Sequence, residues 1–419
     1  MRIHVFCNSV PERGGRQELS RVANTALYYD EGSFRVENGS ESASSGNPDA
    51  LPKNTRDKSW SDWRWQLRNR ITSVEKFLPL IGPEKSTSKE ISNVTDVFPM
   101  AVTPYYASLI DWGNESDPIR MQSIPDIREM ISNCSEMEDP LKEEHYSPMP
   151  ALVHRYPDRV LFLVSMECSM YCRHCTRKRR VGDKNAAISM DEIREGIEYI
   201  RKHEEIRDVL LSGGDPLMHK DSVLEWIISS VRAIPHVQVI RIGTRMPVVL
   251  PQRITPSLVK MLKKYHPLWI NTHFNHPKEF TPESMKALAR LADAGIPLGN
   301  QTVLLKGIND SPEILKELFH LLVRNRVRPY YLYHCDYSRG IQHFRTSVYK
   351  GIEILQQLIG FTSGFAIPVY VVDVAGGGGK IPMLPNYHME KSEKGIVLKN
   401  FEGKIFTVED PGKAEYYAP

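Results

Sequence analysis

Three cysteines stand close together in Cys168-Ser-Met-Tyr-Cys172-Arg-His-Cys175. Thiolates at this spacing on one tight loop can take three irons of a four-iron cluster and leave the fourth open to a substrate or cofactor. With His174 as a fourth ligand they could instead hold zinc, and they could also be unligated thiols. The remaining cysteines, Cys7, Cys134 and Cys335, are scattered and read as packed or inert thiols. A disulfide framework is a poor reading of so large a chain. The run Gly376-Gly377-Gly378-Gly379-Lys380 is the second constellation. Its backbone amides can cradle an anion. A P-loop would need glycine at 374 and a hydroxyl residue at 381, where the chain has Val374 and Ile381. A lysine beside a phosphate cradle suits pyridoxal phosphate, whose aldehyde a lysine amine engages.

Other groups read less specifically. Ser212-Gly213-Gly214-Asp215 is either an ordinary turn or a strand end where glycine permits close approach of a ligand. The basic run Arg177–Arg180 suits a solvated face or an RNA contact. Asp336 and Asp373 would repel in a shared site unless a cation lay between them, so together they would select a substrate with a terminal positive charge.

These residues need elements to position them. Short apolar runs at Arg159–Ser165, Asp208–Leu211, Val237–Ile242, Leu268–Thr272, Leu298–Leu305, Pro329–Tyr333 and Val369–Val372 recur at roughly the length of a strand-plus-helix unit. Between them lie helix starts: a capping box at Ser189-Met-Asp-Glu192, and a hydroxyl before proline at Thr255-Pro256, Thr281-Pro282 and Ser311-Pro312. Gly295 is placed to end the third of the helices after a Thr or Ser cap. The repetition implies a parallel sheet with helices outside, a partial or full α/β barrel, with a doubly wound open sheet as the runner-up. In a barrel the reactive residues sit at the C-terminal strand ends. Those ends read Glu167-Cys168, Ser212–Asp215, Gly243-Thr244-Arg245, His273, Gln301, Cys335-Asp336 and Asp373.

Upstream, Trp60, Trp63, Leu67, Ile71, Val74, Leu78 and Ile81 step by three and four and predict one amphipathic helix. Residues 1–57 are expected to be a flexible arm, 58–150 a helical region, 151–380 the barrel core and 381–419 an extension. Hydrophobic residues at 41% and charged residues at 25% exclude a wholly disordered or fibrous chain. Lys+Arg 54 against Asp+Glu 51 gives +3, so overall charge makes no case for nucleic acid or a membrane surface. No stretch of 18 apolar residues predicts a membrane helix, and the N-terminus lacks the apolar core of a secretory signal. The expectation is a cytoplasmic protein.

The string CSMYCRHCTRKRR at 168–180 resembles the lysine 2,3-aminomutase family of radical S-adenosylmethionine enzymes. HRYPDR at 154–159, LSGGDPL at 211–217, RIGTRMPVVLPQRI at 241–254, NTHFNHP at 271–277, GNQTVLL at 299–305 and VVDVAGGGGK at 371–380 carry the same resemblance, which spans about 60–400. It implies a partial (β/α) barrel with a 4Fe-4S cluster on Cys168, Cys172 and Cys175. It places S-adenosylmethionine near Ser212, Gly213, Gly214, Asp215, His273 and Gln301. Pyridoxal 5′-phosphate would sit on Lys380, with Gly376, Gly377, Gly378 and Gly379 beside it. Arg155 and Arg159 would approach its phosphate, and Tyr156 the cofactor itself.

The resemblance further implies that Arg177 pairs with the substrate carboxylate, while Lys178, Arg179 and Arg180 are solvent-facing or structural. Asp336 and Asp373 would take the ε-ammonium of lysine. The implied reaction interconverts L-lysine and L-β-lysine by a 5′-deoxyadenosyl radical acting on the pyridoxal phosphate aldimine. Arginine, or another basic amino acid, is the alternative substrate. The resemblance also implies a one-electron donor such as flavodoxin or ferredoxin and at least a homodimer. The chain ends Glu415-Tyr-Tyr-Ala-Pro419 without the cysteine-rich tail of some relatives, so no zinc is expected. The competing class is a zinc- or iron–sulfur-bearing RNA-binding protein using Arg177–Arg180.

Overall fold

The computed structural model describes residues 58–81, 85–131, 133–392 and 395–409. The arm expected over residues 1–57, and Cys7 with it, lies outside the described residues. The first strand, β1 (Leu152–Tyr156), pairs antiparallel with β2 (Arg159–Ser165). From β2 the sheet runs in parallel through β3 (Asp208–Gly213), β4 (Val239–Gly243), β5 (Leu268–Thr272), β6 (Leu298–Leu304), β7 (Val327–His334) and β8 (Val369–Val374). A final strand, β9 (Gly379–Pro382), folds back antiparallel on β8.

The nine strands follow chain order, and among the described residues β1 and β9 form no ladder, so the sheet is an open partial barrel. The expected strands occur, with β2 and β5 at the expected residues. The differences lie mostly at the ends, where parallel pairing continues: β6 and β7 stay paired, with a one-residue shift after Asn300, through Leu304↔His334. Gln301 is therefore inside β6 rather than beyond it.

Helices Met190–Lys202, Asp221–Arg232, Pro256–Leu262, Pro282–Asp293, Pro312–Arg324 and Val348–Leu358 cover the outside. Four of their starts are the predicted ones: Ser189, Thr255, Thr281 and Ser311 each accept a backbone N–H from the first turn. On the first of them Ile193, Ile197 and Ile200 are buried, each worth about 1.5–3 kcal/mol relative to exposure. Strand residues alternate. Val209, Leu211, Ile240, Ile242, Leu268 and Ile270 are buried in the core formed with the helices. Their neighbours Leu210, Ser212, Arg241, Gly243, Trp269 and Asn271 line a central cavity. A parallel sheet covered on both faces would read as continuous apolar runs; this inner face carries polar residues because it bounds a hollow.

The expected single helix over 60–81 is two, Trp63–Arg68 and Val74–Ile81. Ile71 between them is buried because its backbone bridges to Val102 (N–H to O 2.8 Å, reciprocal 3.0 Å). The apolar period thus continues through a break in the helix. This region braces the cysteine loop: Arg70 Nη1 donates to Cys168 O (2.7 Å), Tyr171 N–H to Ala101 O (2.9 Å) and Arg173 N–H to Gln122 O (2.9 Å). At the other end, β10 (His388–Ser392), β11 (Gly395–Lys399) and β12 (Ile405–Val408) form a small antiparallel sheet.

Candidate active site

The cavity measures about 890 Å³. Of the residues singled out in the sequence, Cys168, Cys172, Cys175, Arg177, Ser212–Asp215, His273, Gln301, Asp336, Asp373, Arg155, Tyr156, Arg159 and Lys380 all line it. Gly377 and Gly379 do as well, whereas Gly376 and Gly378 do not.

The cysteine loop follows β2 and is fixed to the end of β3. Gly214 N–H donates to Ser165 O (2.5 Å) and Asp215 N–H to Glu167 O (2.8 Å). A Cβ on Gly213, whose φ is +113°, would stand 2.2 Å from Ser165 O, and one on Gly214 would stand 2.4 Å from Glu167 O. These glycines are required first by the backbone beside the cysteines, before any ligand arrives. Asp215 is tied inward: its carboxylate accepts from Thr244 Oγ1 (2.8 Å), Arg245 N–H (2.9 Å) and Leu217 N–H (3.0 Å), joining the ends of β3 and β4.

The three thiols form no disulfide. Burial first, then Asp215 and the other two cysteines, raises the Cys168 thiol well above its ordinary value. Burial and then Cys172 push Cys175 up to about 11. Against this, Arg245 Nη1 donates to Cys172 Sγ at 2.9 Å, a cationic donor of the kind that steadies a metal-bound thiolate. Among the described residues no three His, Cys, Asp or Glu side chains close on one ion. A four-iron cluster takes one thiolate per iron, so its ligands need not meet at a point. The donor set fits such a cluster.

Arg245 is itself locked. Its Nη2 donates to Gln122 Oε1 (2.6 Å) and Glu279 Oε1 (2.8 Å), and its Nε to His273 O (3.1 Å). Burial, then the Arg245 charge, push His273 down to about 4, so its ring is neutral at pH 7. The basic run after the cysteines divides. Lys178 is buried, not solvent-facing, and donates to Glu129 (2.5 Å), Arg173 O (3.1 Å) and Gly340 O (3.1 Å). Burial lowers it to about 8, against the opposing pull of Glu129. Arg179 pairs with Glu144 (3.0 Å) and Asp139 (3.4 Å). Arg177 stays at the cavity, its Nε and Nη2 held by Glu143 at 3.0 and 2.6 Å.

At the far side the glycine run is the turn between β8 and β9. Gly376 N–H donates to Pro140 O (2.8 Å) and Gly378 N–H to Val374 O (3.1 Å), so two of its amides are taken within the chain rather than free for an anion. The turn meets the opposite edge of the sheet: Arg155 Nε donates to Gly377 O (2.8 Å) and Lys380 N–H to Tyr156 Oη (3.2 Å). Side chains of β1 thus close what the ladders leave open. Arg155 and Arg159 flank the Tyr156 ring, at 5.6 and 3.9 Å from its centre. A lysine, two arginines and a tyrosine around one turn fit an aldehyde-bearing phosphate.

Lys380 Nζ pairs with Asp373 Oδ2 at 2.6 Å. Asp336 has no hydrogen-bond or ion-pair partner for its carboxylate among the described residues. Burial, then the adjacent Asp373 charge, push it up to about 7.

Comparison with known proteins follows the same division. The radical SAM superfamily model matches residues 163–319, and the lysine-2,3-aminomutase model matches residues 355–418. An L-lysine 2,3-aminomutase of Fusobacterium nucleatum is 56% identical over 358 residues, 85% of this chain and 84% of its own. The chain belongs to the lysine 2,3-aminomutase family. The L-lysine 2,3-aminomutase of Clostridium subterminale is 54% identical over 361 residues (86% and 87% of the two chains). The glutamate 2,3-aminomutase of Clostridioides difficile is 47% identical over 357 residues (85% and 84%). As a family member the protein is a radical SAM isomerase, and that superfamily implies a 4Fe-4S cluster and S-adenosylmethionine.

Sequence reading gave no role to Glu143, Tyr333 or Arg245. Tyr333 Oη accepts from Gln301 Nε2 (3.2 Å), and its ring lies 5.6 Å from Lys380 Nζ. The alternation in Tyr331-Leu-Tyr333 was the available signal, since it places both rings on the inner face. Arg245 was legible only as part of a strand end, and nothing local marks Glu143.

Proposed function

We propose that the enzyme interconverts L-lysine and L-β-lysine, with Lys380 as the lysine of a pyridoxal phosphate site. The observation that carries the substrate is the charge pattern of the cavity. Arg177 is balanced by Glu143 and Lys380 by Asp373, which leaves Asp336 as a half-buried carboxylate with no ion pair of its own among the described residues. A substrate with one net positive charge completes that site; glutamate would add to the imbalance.

When bound, S-adenosylmethionine on the cluster supplies a 5′-deoxyadenosyl radical and pyridoxal phosphate supplies the carbonyl that carries the migrating nitrogen. The chain's part is to hold and orient. Arg177 takes the α-carboxylate through the fork edge that Glu143 leaves open. Lys380, paired with Asp373 at 2.6 Å, would hold the pyridoxal phosphate carbonyl in the resting enzyme, and Asp373 would join Asp336 in receiving the ε-ammonium. Anchors at both ends of an extended chain fix its middle carbons against rotation. The buried walls exclude water from a radical that would otherwise be quenched. Arg155, Arg159, Tyr156 and the turn at Gly376–Gly379 hold the phosphate side. Cys168, Cys172 and Cys175 hold the cluster, with Ser212, Gly213, Gly214, Asp215, His273 and Gln301 framing the S-adenosylmethionine space.

An external one-electron donor such as flavodoxin or ferredoxin reduces the cluster. The protein is cytoplasmic and assembles at least as a dimer. The exposed Met389, Ile405, Phe406 and Val408 of the small sheet support an interface, and among the described residues no helix is long and apolar enough to cross a membrane.

The test is anaerobic turnover of reconstituted protein with lysine, arginine and glutamate supplied separately, products identified by mass spectrometry. β-Lysine is the expected product. β-Arginine in its place would keep the chemistry and replace the substrate, and absence of any β-amino acid from fully loaded protein would refute the proposal.

A further inference from the structure

Glu143 lies on the segment between the N-terminal helices and β1, outside every barrel strand. Its side chain is 7% exposed, yet it lines the cavity. Both its oxygens are engaged by one edge of the Arg177 guanidinium, Nε to Oε2 at 3.0 Å and Nη2 to Oε1 at 2.6 Å. A guanidinium has two edges able to receive a carboxylate in bidentate fashion. The Nε/Nη2 edge is taken. The Nη1/Nη2 edge has only a 3.5 Å contact from Nη1 to Gly213 O.

The segment that carries Glu143 is anchored at both sides of the site. Asp139 receives the N–H groups of Glu143 and Glu144 at 3.0 Å each and pairs with Arg179 of the cysteine loop. Pro140 O receives Gly376 N–H at 2.8 Å, and the Tyr146 ring fills the space beside Gly377, where a Cβ would meet it at 2.8 Å. One short strap therefore touches both Arg177 and the turn before Lys380.

We propose that Glu143 is a positioning residue of the substrate pocket: it orients Arg177 so that the Nη1/Nη2 edge faces the substrate carboxylate, and the strap it sits on sets the placement of that edge relative to Lys380. The inference rests on the assignment of Arg177 to the carboxylate. An amino acid would be gripped at its α-carbon by two groups at once, carboxylate on Arg177 and nitrogen at the carbonyl that Lys380 would hold in the resting enzyme, so the offset between the two decides whether both can be made. Glu143 also cancels the Arg177 charge within the pocket. The pair discriminates by shape, through the open fork, and leaves recognition of charge to Asp336 and Asp373.

The experiment uses anaerobically reconstituted holoenzyme and measures binding from the pyridoxal absorbance band, without turnover. Wild type, E143Q, E143A and R177A are titrated with L-lysine and with 1,5-diaminopentane, which is lysine without its carboxylate. Iron and pyridoxal content report the integrity of each variant. E143A is expected to bind lysine about 10- to 100-fold more weakly, the range for losing a hydrogen bond to a charged group, with diaminopentane binding as in wild type. E143Q should fall between, and it carries the test alone if E143A loses iron or pyridoxal. Parallel weakening of both ligands, or no change in either, would overturn the proposal. If R177A itself leaves the preference for lysine over diaminopentane intact, the assignment of Arg177 fails. If R177A abolishes the preference while both Glu143 variants keep it, the assignment stands and the role of Glu143 falls.

Discussion

Around the cysteines each buried charge has its partner. Glu129 takes Arg173 and Lys178 at 2.5 Å each, Glu279 takes Arg245, and the Asp215 carboxylate accepts from Thr244 and two backbone amides. At the lysine end the balance is open. Lys380 has only Asp373 as its ion-pair partner, and the Asp336 carboxylate has no hydrogen-bond or ion-pair partner among the described residues. The contrast follows from what each end must do. A cluster is assembled once and must then be held, so its surroundings can be fully cross-bonded. A substrate enters and leaves at every turnover, so the groups that receive it must be unpaired, or in pairs that exchange.

The largest effects should show whether the ends are separable. Replacing Cys172 or Cys175 with serine is expected to abolish the cluster and all turnover, measured by iron content and the loss of the cluster's visible absorbance. K380A should abolish turnover equally, while iron content stays at the wild-type level and only the pyridoxal band is lost. A K380A protein without iron would mean that the two ends fold as one.

Stability gives the next contrast. Removing Glu129 strands two buried cations, and E129A should lose about 3–5 kcal/mol in a denaturant titration. D336N should lose none at pH 8. The folded-state value of Asp336, about 7, lies above the ordinary 3.8, so the folded state is penalised by its ionisation. That penalty is absent below about pH 4, grows as pH rises towards 7 and is constant above it. D336N is thus expected to match or exceed wild-type stability at pH 8 while binding lysine more weakly, read from the thermal midpoint and the pyridoxal band together.

The same comparison explains what the sequence could and could not reveal. The cysteine loop, the glycine turn and β2 to β8 are local patterns, and a strand with period two or a turn with fixed residue types is read from neighbours alone. Two kinds of feature escaped. Edge strands β1 and β9 are four or five residues long, pair antiparallel and interrupt the strand–helix repeat, so no period marks them. Ile71 continued an apolar period across a break because periodicity records burial, and a bridge to Val102 buries a side chain as well as a helix does. Pairings across the chain were equally hidden. Arg177, Lys178 and Arg179 are one basic run in sequence, and three different partners, Glu143, Glu129 and Glu144, separate their roles. The unpaired state of Asp336 is a statement about every other element around it, which no local pattern contains.

Lysine binding by the wild-type enzyme should itself depend on pH. A protonated Asp336 cannot receive an ammonium, so affinity is expected to rise with pH through about 7 and level off above it. The charges that set this midpoint are Asp373 and Glu143, which raise it, and Lys380 and Arg177, which lower it. Titrations of lysine at several pH values, followed by the pyridoxal band, should show the step in wild type and a flat profile in D336N. A step of the same size in D336N would place the titrating group elsewhere.

The smallest expected effect tests the closed end. Arg245 Nη1 donates to Cys172 Sγ, and a donor to a cluster sulfur favours the reduced, more negative state. R245K keeps the charge beside Glu279 and gives up the fork that reaches Gln122, Glu279 and the sulfur together. Iron content should be unchanged, because three thiolates still hold the cluster. The midpoint potential should move in the negative direction by tens of millivolts, the order set by one hydrogen bond in a one-electron couple. A redox titration followed by electron paramagnetic resonance measures it. An unmoved potential in fully loaded R245K would mean that the guanidinium supports the loop alone, and that the cross-bonding at this end serves folding rather than the electron the cluster must deliver.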